Sequence, residues 1–433
     1  MKANIPTIEK KRIVIIGGGF AGLTLANKLI KTKYQSVLVD KHNYHMFQPL
    51  LYQVATAGIE PSAISFPFRK VFQSKRNIHI RITEVIKIEP ENNLVITKVG
   101  NVSYDYLVIA VGATTNYFGN DFIQEKAFPM KSVSEALGLR NTILQNFENI
   151  LISEDTDEQK GLMNFVIVGG GPTGIETSGA LAEMKRFVLP KDYPEIDFNR
   201  MNIYLIEASS KLLKGMSDIS SKKAHQYLVK LGVKVWTEST VKSYNGKTVM
   251  LNNNATIRTD TLIWAAGVKG YKLEGIHSLA VGLGDRLIVN NTNLVQGYSN
   301  IYAIGDIALM VSEKYPHGHP QVAQVAIQQA SNLARNFERL AKEQSFKPFN
   351  YRDLGSMATI GRNKAVVDLP NIKFQGFFAW LVWMFIHLKS ILGIKNKLIT
   401  FINWFWSYIT YDQSLRLIIK AKMKPKKHET IFN

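Results

Sequence analysis

Two glycine-rich turns about 150 residues apart constrain this chain more than any other feature. The first, Gly17-Gly18-Gly19-Phe20-Ala21-Gly22, follows the apolar run Arg12-Ile13-Val14-Ile15-Ile16. The second, Gly169-Gly170-Gly171-Pro172-Thr173-Gly174, follows Phe165-Val166-Ile167-Val168. Both have GxGxxG spacing, follow a β-branched strand and open a helix-like segment. In such a turn the first glycine permits the tight bend, the second lets the backbone approach a pyrophosphate, and the third lets helix pack close on strand. The helix N-terminus then faces the phosphates. An acid closes the next strand in each case: Asp40 after Ser36-Val37-Leu38-Val39, and Glu207 after Ile203-Tyr204-Leu205-Ile206. Such acids suit a ribose 2′-hydroxyl. One turn of this kind is a weak signal; two, each with its acid, read as a double Rossmann arrangement.

The expected fold is therefore α/β, with two Rossmann-like dinucleotide-binding domains and a C-terminal helical segment. Tyr106-Leu107-Val108-Ile109-Ala110-Val111-Gly112 and Thr261-Leu262-Ile263-Trp264-Ala265-Ala266-Gly267 read as the buried closing strands of the two units. Ser132-Val133-Ser134-Glu135 has capping-box spacing and should start a helix. The strand Ile301-Tyr302-Ala303-Ile304-Gly305-Asp306 reads as the chain returning to the first sheet. The predicted boundaries are 1–124 with 284–370 for the first domain, 125–283 for the inserted second, and 371–433 for the C-terminal region. In the last, Gly376–Leu388 and Leu398–Ile409 are apolar and rich in aromatics, and each is shorter than the ~20 residues a spanning helix needs. Lysines 389, 395 and 397 and the basic tail Lys420–Lys427 accompany them. That combination predicts a helix pair lying in the lipid interface, with buried core helices as the alternative.

The chain has no cysteine, which excludes disulfides, cysteine-held metal clusters and thiol redox chemistry. A net charge of +19 predicts an anionic partner. The position of the basic tail favours an anionic lipid surface over nucleic acid. No apolar signal segment opens the sequence, so a cytoplasmic location is expected.

Two-electron chemistry without cysteine calls for a cofactor. Two nucleotide sites suggest a flavin and a nicotinamide. The returning Ile304-Gly305-Asp306 suggests FAD in the first site, with Asp306 on the ribityl hydroxyls, although Asp306 would also serve as a helix N-cap. Glu207 should repel a 2′-phosphate and favour NADH over NADPH; Lys211 nearby argues weakly the other way. Glu176, in the first turn of the second unit's helix, either complements the helix dipole or handles a proton beside flavin and nicotinamide. His319 to Ala330 reads as a helix starting near Pro320. Gln324 and Gln328 share one of its faces and lie beside Ala323 and Ala326. A solvated polar stripe is the competing reading.

With these residues in view, the chain resembles the type II NADH dehydrogenases, which are single-subunit, FAD-containing, non-pumping NADH:quinone oxidoreductases. The turns Gly17–Gly22 and Gly169–Glu176, the segment Phe47-Gln48-Pro49-Leu50-Leu51-Tyr52-Gln53-Val54-Ala55, and Ala303–Asp306 carry the resemblance. Ala323-Gln324-Val325-Ala326-Ile327-Gln328 fits the family's AQxAxQ quinone pattern. The resemblance implies one non-covalent FAD at Gly17, Gly19, Phe20, Ala21, Gly22, Asp40, Lys41, Gly112, Asp306, Ala323 and Gln324. It implies NADH at Gly169, Gly171, Pro172, Thr173, Gly174, Glu176, Glu207 and Gly267. Glu176, Gln324 and Gln328 would be catalytic, and Gln324 and Gln328 would line a quinone site that His387 or Lys389 assists. No metal is implied. The expected location is the cytoplasmic face of the cell membrane, as a monotopic protein, with a homodimer left open. The alternatives are a soluble FAD-dependent ferredoxin or rubredoxin reductase and a non-enzymatic, NADH-sensing membrane protein. Disulfide reductases and sulfide:quinone oxidoreductases are set aside because they need cysteines.

Overall fold

The computed structural model describes residues 3–6, 8–411 and 415–419. The basic tail Lys420–Lys427 lies outside the described residues.

Two five-stranded parallel sheets, built to one plan, organise the molecule. In the first, the strand order is Ile301–Ala303, Tyr106–Ile109, Arg12–Ile16, Gln35–Asp40, Ile78–Ile82. In the second it is Phe128–Pro129, Thr261–Trp264, Asn164–Val168, Asn202–Ile206, Val233–Trp236. Each glycine turn leaves the middle strand of its sheet. The middle strands are buried on both faces, which is why they read as unbroken apolar runs instead of alternating patterns. The last strand of the first sheet arrives from far along the chain: Ile301–Ala303 pairs with Leu107–Ile109.

Helix α1 (Phe20–Leu29) follows the first turn. The short α2 (Leu51–Ala55) lies in the Phe47–Ala55 segment. Helix α3 (Val133–Ile152) starts on the predicted capping box, with Ser132 Oγ accepting from the Glu135 amide and Glu135 accepting from the Ser132 amide. Helix α4 (Pro172–Glu183) follows the second turn and runs on into a π-helical turn, Met184–Val188. Helix α5 (Ala323–Leu340) begins three residues later than expected. Val322 is extended, and Pro320–Val322 forms a turn from which the Gln321 side chain donates through Nε2 to the Asp306 carbonyl. Small residues let α1 and α5 approach closely: Ala21, Ala26, Ala326, Ala330 and Ala334 share one core with Leu333 and Phe337.

A three-stranded antiparallel sheet, Ser356–Thr359, Ala365–Asp368 and Lys373–Gly376, precedes the C-terminal helices and crosses position 371. Helix α6 (Phe377–Ser390) and helix α7 (Ile394–Thr410) follow. Among the described residues, no helix is long and apolar enough to cross a membrane. Both helices instead keep large apolar side chains in the open: Phe378 is 75% exposed and Phe405 56%.

Candidate active site between two nucleotide loops

The two acids that close the second strands act first on their own loops. Asp40 Oδ2 accepts from the Gly18 amide at 2.6 Å, and Glu207 Oε2 accepts from the Gly170 amide at 2.5 Å. Each carboxylate thus fixes the turn it follows. Asp40 Oδ1 also takes the His42 amide, and Glu207 Oε1 takes the amide and hydroxyl of Ser209. Lys211 is paired with Asp218 at 2.5 Å, so its charge is already partnered.

The loops fit phosphate groups. A methyl group on Gly22 or Gly174 would strike the carbonyl of Gly17 or Gly169, so helix and strand meet as closely as the third glycine allows. Beyond Gly19 and Gly171 there is open space, and neither α1 nor α4 has a side-chain N-cap. The first amides of each helix are therefore free to meet an anion. Gly112 and Gly267 end the closing strands at φ +72° and +144°. The strands after them, Ala113–Thr115 and Val268–Gly270, pair antiparallel and tie the two units together.

The surroundings differ. The first loop is walled by the buried Phe68 ring under Gly18, and buried His45 contacts the Gly18 carbonyl through Nδ1 at 3.1 Å. Ala21 and Ala326 flank Gly305. The partly buried Asp306 carboxylate has no hydrogen-bond partner among the described residues, and burial raises its pKa against the pull of Lys131 and Arg286. That free carboxylate fits the polyol of a flavin nucleotide. Gln329 accepts from the Gly305 amide at 2.7 Å and holds the turn that carries Asp306. Phe20 is half-buried and Lys41 is exposed. In the second loop Pro172 and Thr173 are exposed.

Glu176 lies one turn into α4 and is 6% exposed. Burial pushes its carboxyl up to about 8, against smaller opposite pulls from the Thr359 amide and the Trp383 indole. Thr359 N is 3.4 Å from Oε1, and Trp383 Nε1 is buried without a hydrogen bond of regular geometry. Trp383 comes from α6, so a C-terminal helix reaches this carboxyl. His387 stacks on Trp383 with centroids 4.1 Å apart and meets the edge of Phe47. Burial lowers its pKa to about 4. Lys389 is exposed.

Gln324 and Gln328 are each committed to backbone. Gln324 donates to the Gly355 carbonyl at 3.0 Å and accepts from the Leu354 amide at 2.9 Å. Gln328 does the same with Arg352, at 2.8 and 3.0 Å. Together they clamp residues 352–355 to α5, and that segment leads into the strand whose Thr359 meets Glu176. The spacing indicated a shared face; it gave no sign of these partners. His45, Phe68, Gln329, Tyr52 and Trp383 also escaped the sequence reading. Of these, Tyr52, Gln329 and Trp383 stood in segments already singled out, but nothing local marked them there.

The pyridine nucleotide-disulphide oxidoreductase model matches residues 11–330, and the NDH2 C-terminal domain model matches residues 354–410. The type II NADH:quinone oxidoreductase of Mycobacterium tuberculosis is 34% identical, covering 93% of this chain and 89% of that protein. That of Staphylococcus aureus is 27% identical, covering 83% and 89%. The solved structure of NDH2 from Plasmodium falciparum in complex with NADH superposes with a TM-score of 0.86 at 22% identity, covering 95% of this chain and all of that one. A sulfide:quinone oxidoreductase from Aquifex aeolicus gives 0.71 over 92% of this chain, and a ferredoxin reductase from Rhodopseudomonas palustris gives 0.65 over 83%.

Proposed function

The chain belongs to the pyridine nucleotide-disulphide oxidoreductases and, within them, to the type II NADH:quinone oxidoreductases, and we propose on that premise that it passes two electrons from NADH through FAD to a membrane quinone without pumping protons. The observation that carries this reading is the pair of matched loops, the first covered at Phe20 and Ala21 and the second exposed at Pro172 and Thr173, with a buried carboxyl between them and the C-terminal helices. A closed site suits a resident cofactor; an open one suits a substrate that must enter and leave.

When bound, a flavin supplies a two-electron carrier that protein side chains lack. In this reading the α1 N-terminus, Asp40 and Asp306 hold it, and the first domain comprises residues 1–124 and 284–370. The α4 N-terminus and Glu207 hold the nicotinamide nucleotide within 125–283. Glu176 is mostly protonated at neutral pH and can release a proton toward the reduced acceptor; its raised pKa suits that task. Gln324 and Gln328 act by fixing the backbone that leads to Thr359. The exposed apolar face of α6 and α7, including Phe378, Phe385, Phe405 and Trp406, rests in the lipid interface on the cytoplasmic side, where quinone is reached.

Anaerobic addition of NADH should bleach the flavin spectrum, and a soluble quinone should restore it. A protein purified without flavin, or one that NADH reduces and quinone cannot reoxidise, would overturn the proposal. For the membrane contact, Phe405→Glu should weaken binding to anionic liposomes, because each buried phenylalanine contributes about 1.5–3 kcal/mol, and should leave flavin content unchanged. Undiminished flotation with liposomes would place the membrane face elsewhere.

A further inference from the structure

The Phe47–Ala55 segment holds a polar contact that the mechanism above does not use. Gln53 joins two tyrosine- and tryptophan-bearing elements through one amide. Its Oε1 accepts from the Trp404 indole of α7 at 2.7 Å, and its Nε2 donates to the Tyr52 hydroxyl at 2.9 Å. Tyr52 is 5% exposed. Its oxygen is thus an acceptor for Gln53, while its own O–H has no acceptor among the described residues. A buried hydroxyl usually finds a partner for its proton. Here that proton is left free beside the C-terminal helices and in the field of Glu176.

The orientation follows from which atoms are already taken. A carboxamide can be flipped, but Trp404 Nε1 is only a donor and so requires the Gln53 oxygen. The Gln53 nitrogen must then face the tyrosine, and being a donor it fixes the tyrosine oxygen as acceptor. The phenolic proton is thereby turned away from Gln53. Trp404 belongs to a helix whose other side, with Ile402, Phe405 and Trp406, is exposed and apolar. The contact therefore connects the lipid-facing helix to a free donor in the interior.

We propose that Tyr52 is a substrate-contacting residue of the quinone site, donating its O–H to a quinone carbonyl oxygen, and that Gln53 and Trp404 are its positioning residues. The inference rests on the quinone-reductase reading above. Burial, followed by the charges of Glu176 and Glu183, raises the Tyr52 pKa well above the usual phenol range. The hydroxyl thus stays protonated and serves as a donor of a hydrogen bond, with no proton transfer from it. A carbonyl that gains charge on reduction is held more strongly by such a donor than in its neutral state.

The test uses the full-length flavoprotein, menadione as the quinone probe and ferricyanide as an acceptor without a carbonyl. Tyr52→Phe should leave NADH bleaching and ferricyanide reoxidation near wild type and slow menadione reoxidation roughly ten- to hundredfold. Trp404→Phe should give a smaller loss of the same kind. In the double variant the losses should not multiply, because both act on one hydroxyl. Equal loss with ferricyanide would make Tyr52 structural and overturn the proposal, as would unchanged menadione rates in Tyr52→Phe. Losses that multiply would overturn the positioning role of Trp404. A wild-type protein that menadione cannot reoxidise would instead sink the underlying quinone reading.

Discussion

The two nucleotide loops are the same device set in different surroundings. In each, a carboxylate from the end of the neighbouring strand takes the amide of the second glycine, and the third glycine lets the helix touch the turn behind it. The first is closed in by Phe68, His45, the returning strand and α5. The second has buried Leu212 under Gly170 in the place of Phe68 but opens at Pro172 and Thr173. In the function proposed above, the loop sets what class of ligand binds, and its surroundings set how long the ligand stays. A flavin kept between turnovers needs the closed version. A nicotinamide nucleotide that exchanges each cycle needs the open one.

The harshest way to break the comparison is to spoil the two third glycines separately. Gly22→Ala and Gly174→Ala introduce the same backbone collision, and overpacking of this kind typically costs about 1–3 kcal/mol. Gly22→Ala should yield protein that has lost most of its flavin colour. Gly174→Ala should stay yellow and fail to be bleached by NADH. If both variants come out colourless, the second loop is structural for the first and the division of labour is wrong.

Glu176 sits where the two halves meet, so its effect should appear in only one half-reaction. Its carboxyl is neutral below about 8 and ionises above that point. As an acid, it can deliver a proton only on the low-pH side. Reoxidation by quinone should therefore fall as pH rises through about 8, while reduction by NADH should show no inflection there. Glu176→Gln should remove the inflection and slow reoxidation about a hundredfold or more, within the usual range for general acid–base groups. The same shift bears on stability. A carboxyl whose folded pKa exceeds its unfolded value makes the fold less stable as pH rises from about 4.5 to about 8. The glutamine variant should lose that slope in thermal melts.

The closure of the first unit can be probed at its clamp. Gln324→Leu or Gln328→Leu removes two hydrogen bonds to residues 352–355, and net losses per bond of about 0.5–1.5 kcal/mol predict roughly tenfold slower reoxidation by quinone. The path runs through Thr359, whose strand follows the clamped segment directly. Flavin content, measured spectrophotometrically, should hold. Loss of flavin would show that the clamp, more than Phe68 and His45, keeps the first site closed.

How much of this was legible in the sequence depended on distance along the chain. The strands, the glycine turns, the capping box at Ser132 and the apolar C-terminal helices announce themselves through neighbours a few residues apart. Asp40 and Glu207 were legible as acids at the right place; that each grips its own loop required knowing how strand ends align. The partners of Gln324 and Gln328 lie 24 to 31 positions away. The Trp404–Gln53 bond spans 351 positions. No local period encodes such pairings. Trp383 reads locally as one more aromatic in an apolar helix, and only the packed fold brings it to Glu176. Pro320 misled because a proline suits a helix start as well as the turn it occupies here.

The smallest expected effect is also the one that separates the loops by chemistry instead of enclosure. Asp40 and Glu207 make equivalent bonds, yet only the nicotinamide nucleotide comes in a form with a 2′-phosphate. Charge at Glu207 should thus control NADH against NADPH, and Lys211 offers no counterweight because Asp218 already pairs with it. Glu207→Gln removes the charge but also puts an amide donor where the carboxylate accepts from three groups: the Gly170 amide, the Ser209 amide and the Ser209 hydroxyl. Some loss with NADH is therefore expected along with relief of repulsion for NADPH. The preference should narrow by about 1 kcal/mol, roughly five- to tenfold in the ratio of kcat/KM values. Steady-state kinetics with both nucleotides at low and high salt checks the cause. A narrowing through improved NADPH use that shrinks as salt rises marks electrostatics. A narrowing that comes only from poorer NADH use, at any salt, would mean Glu207 matters as the brace of its loop and the preference is set elsewhere.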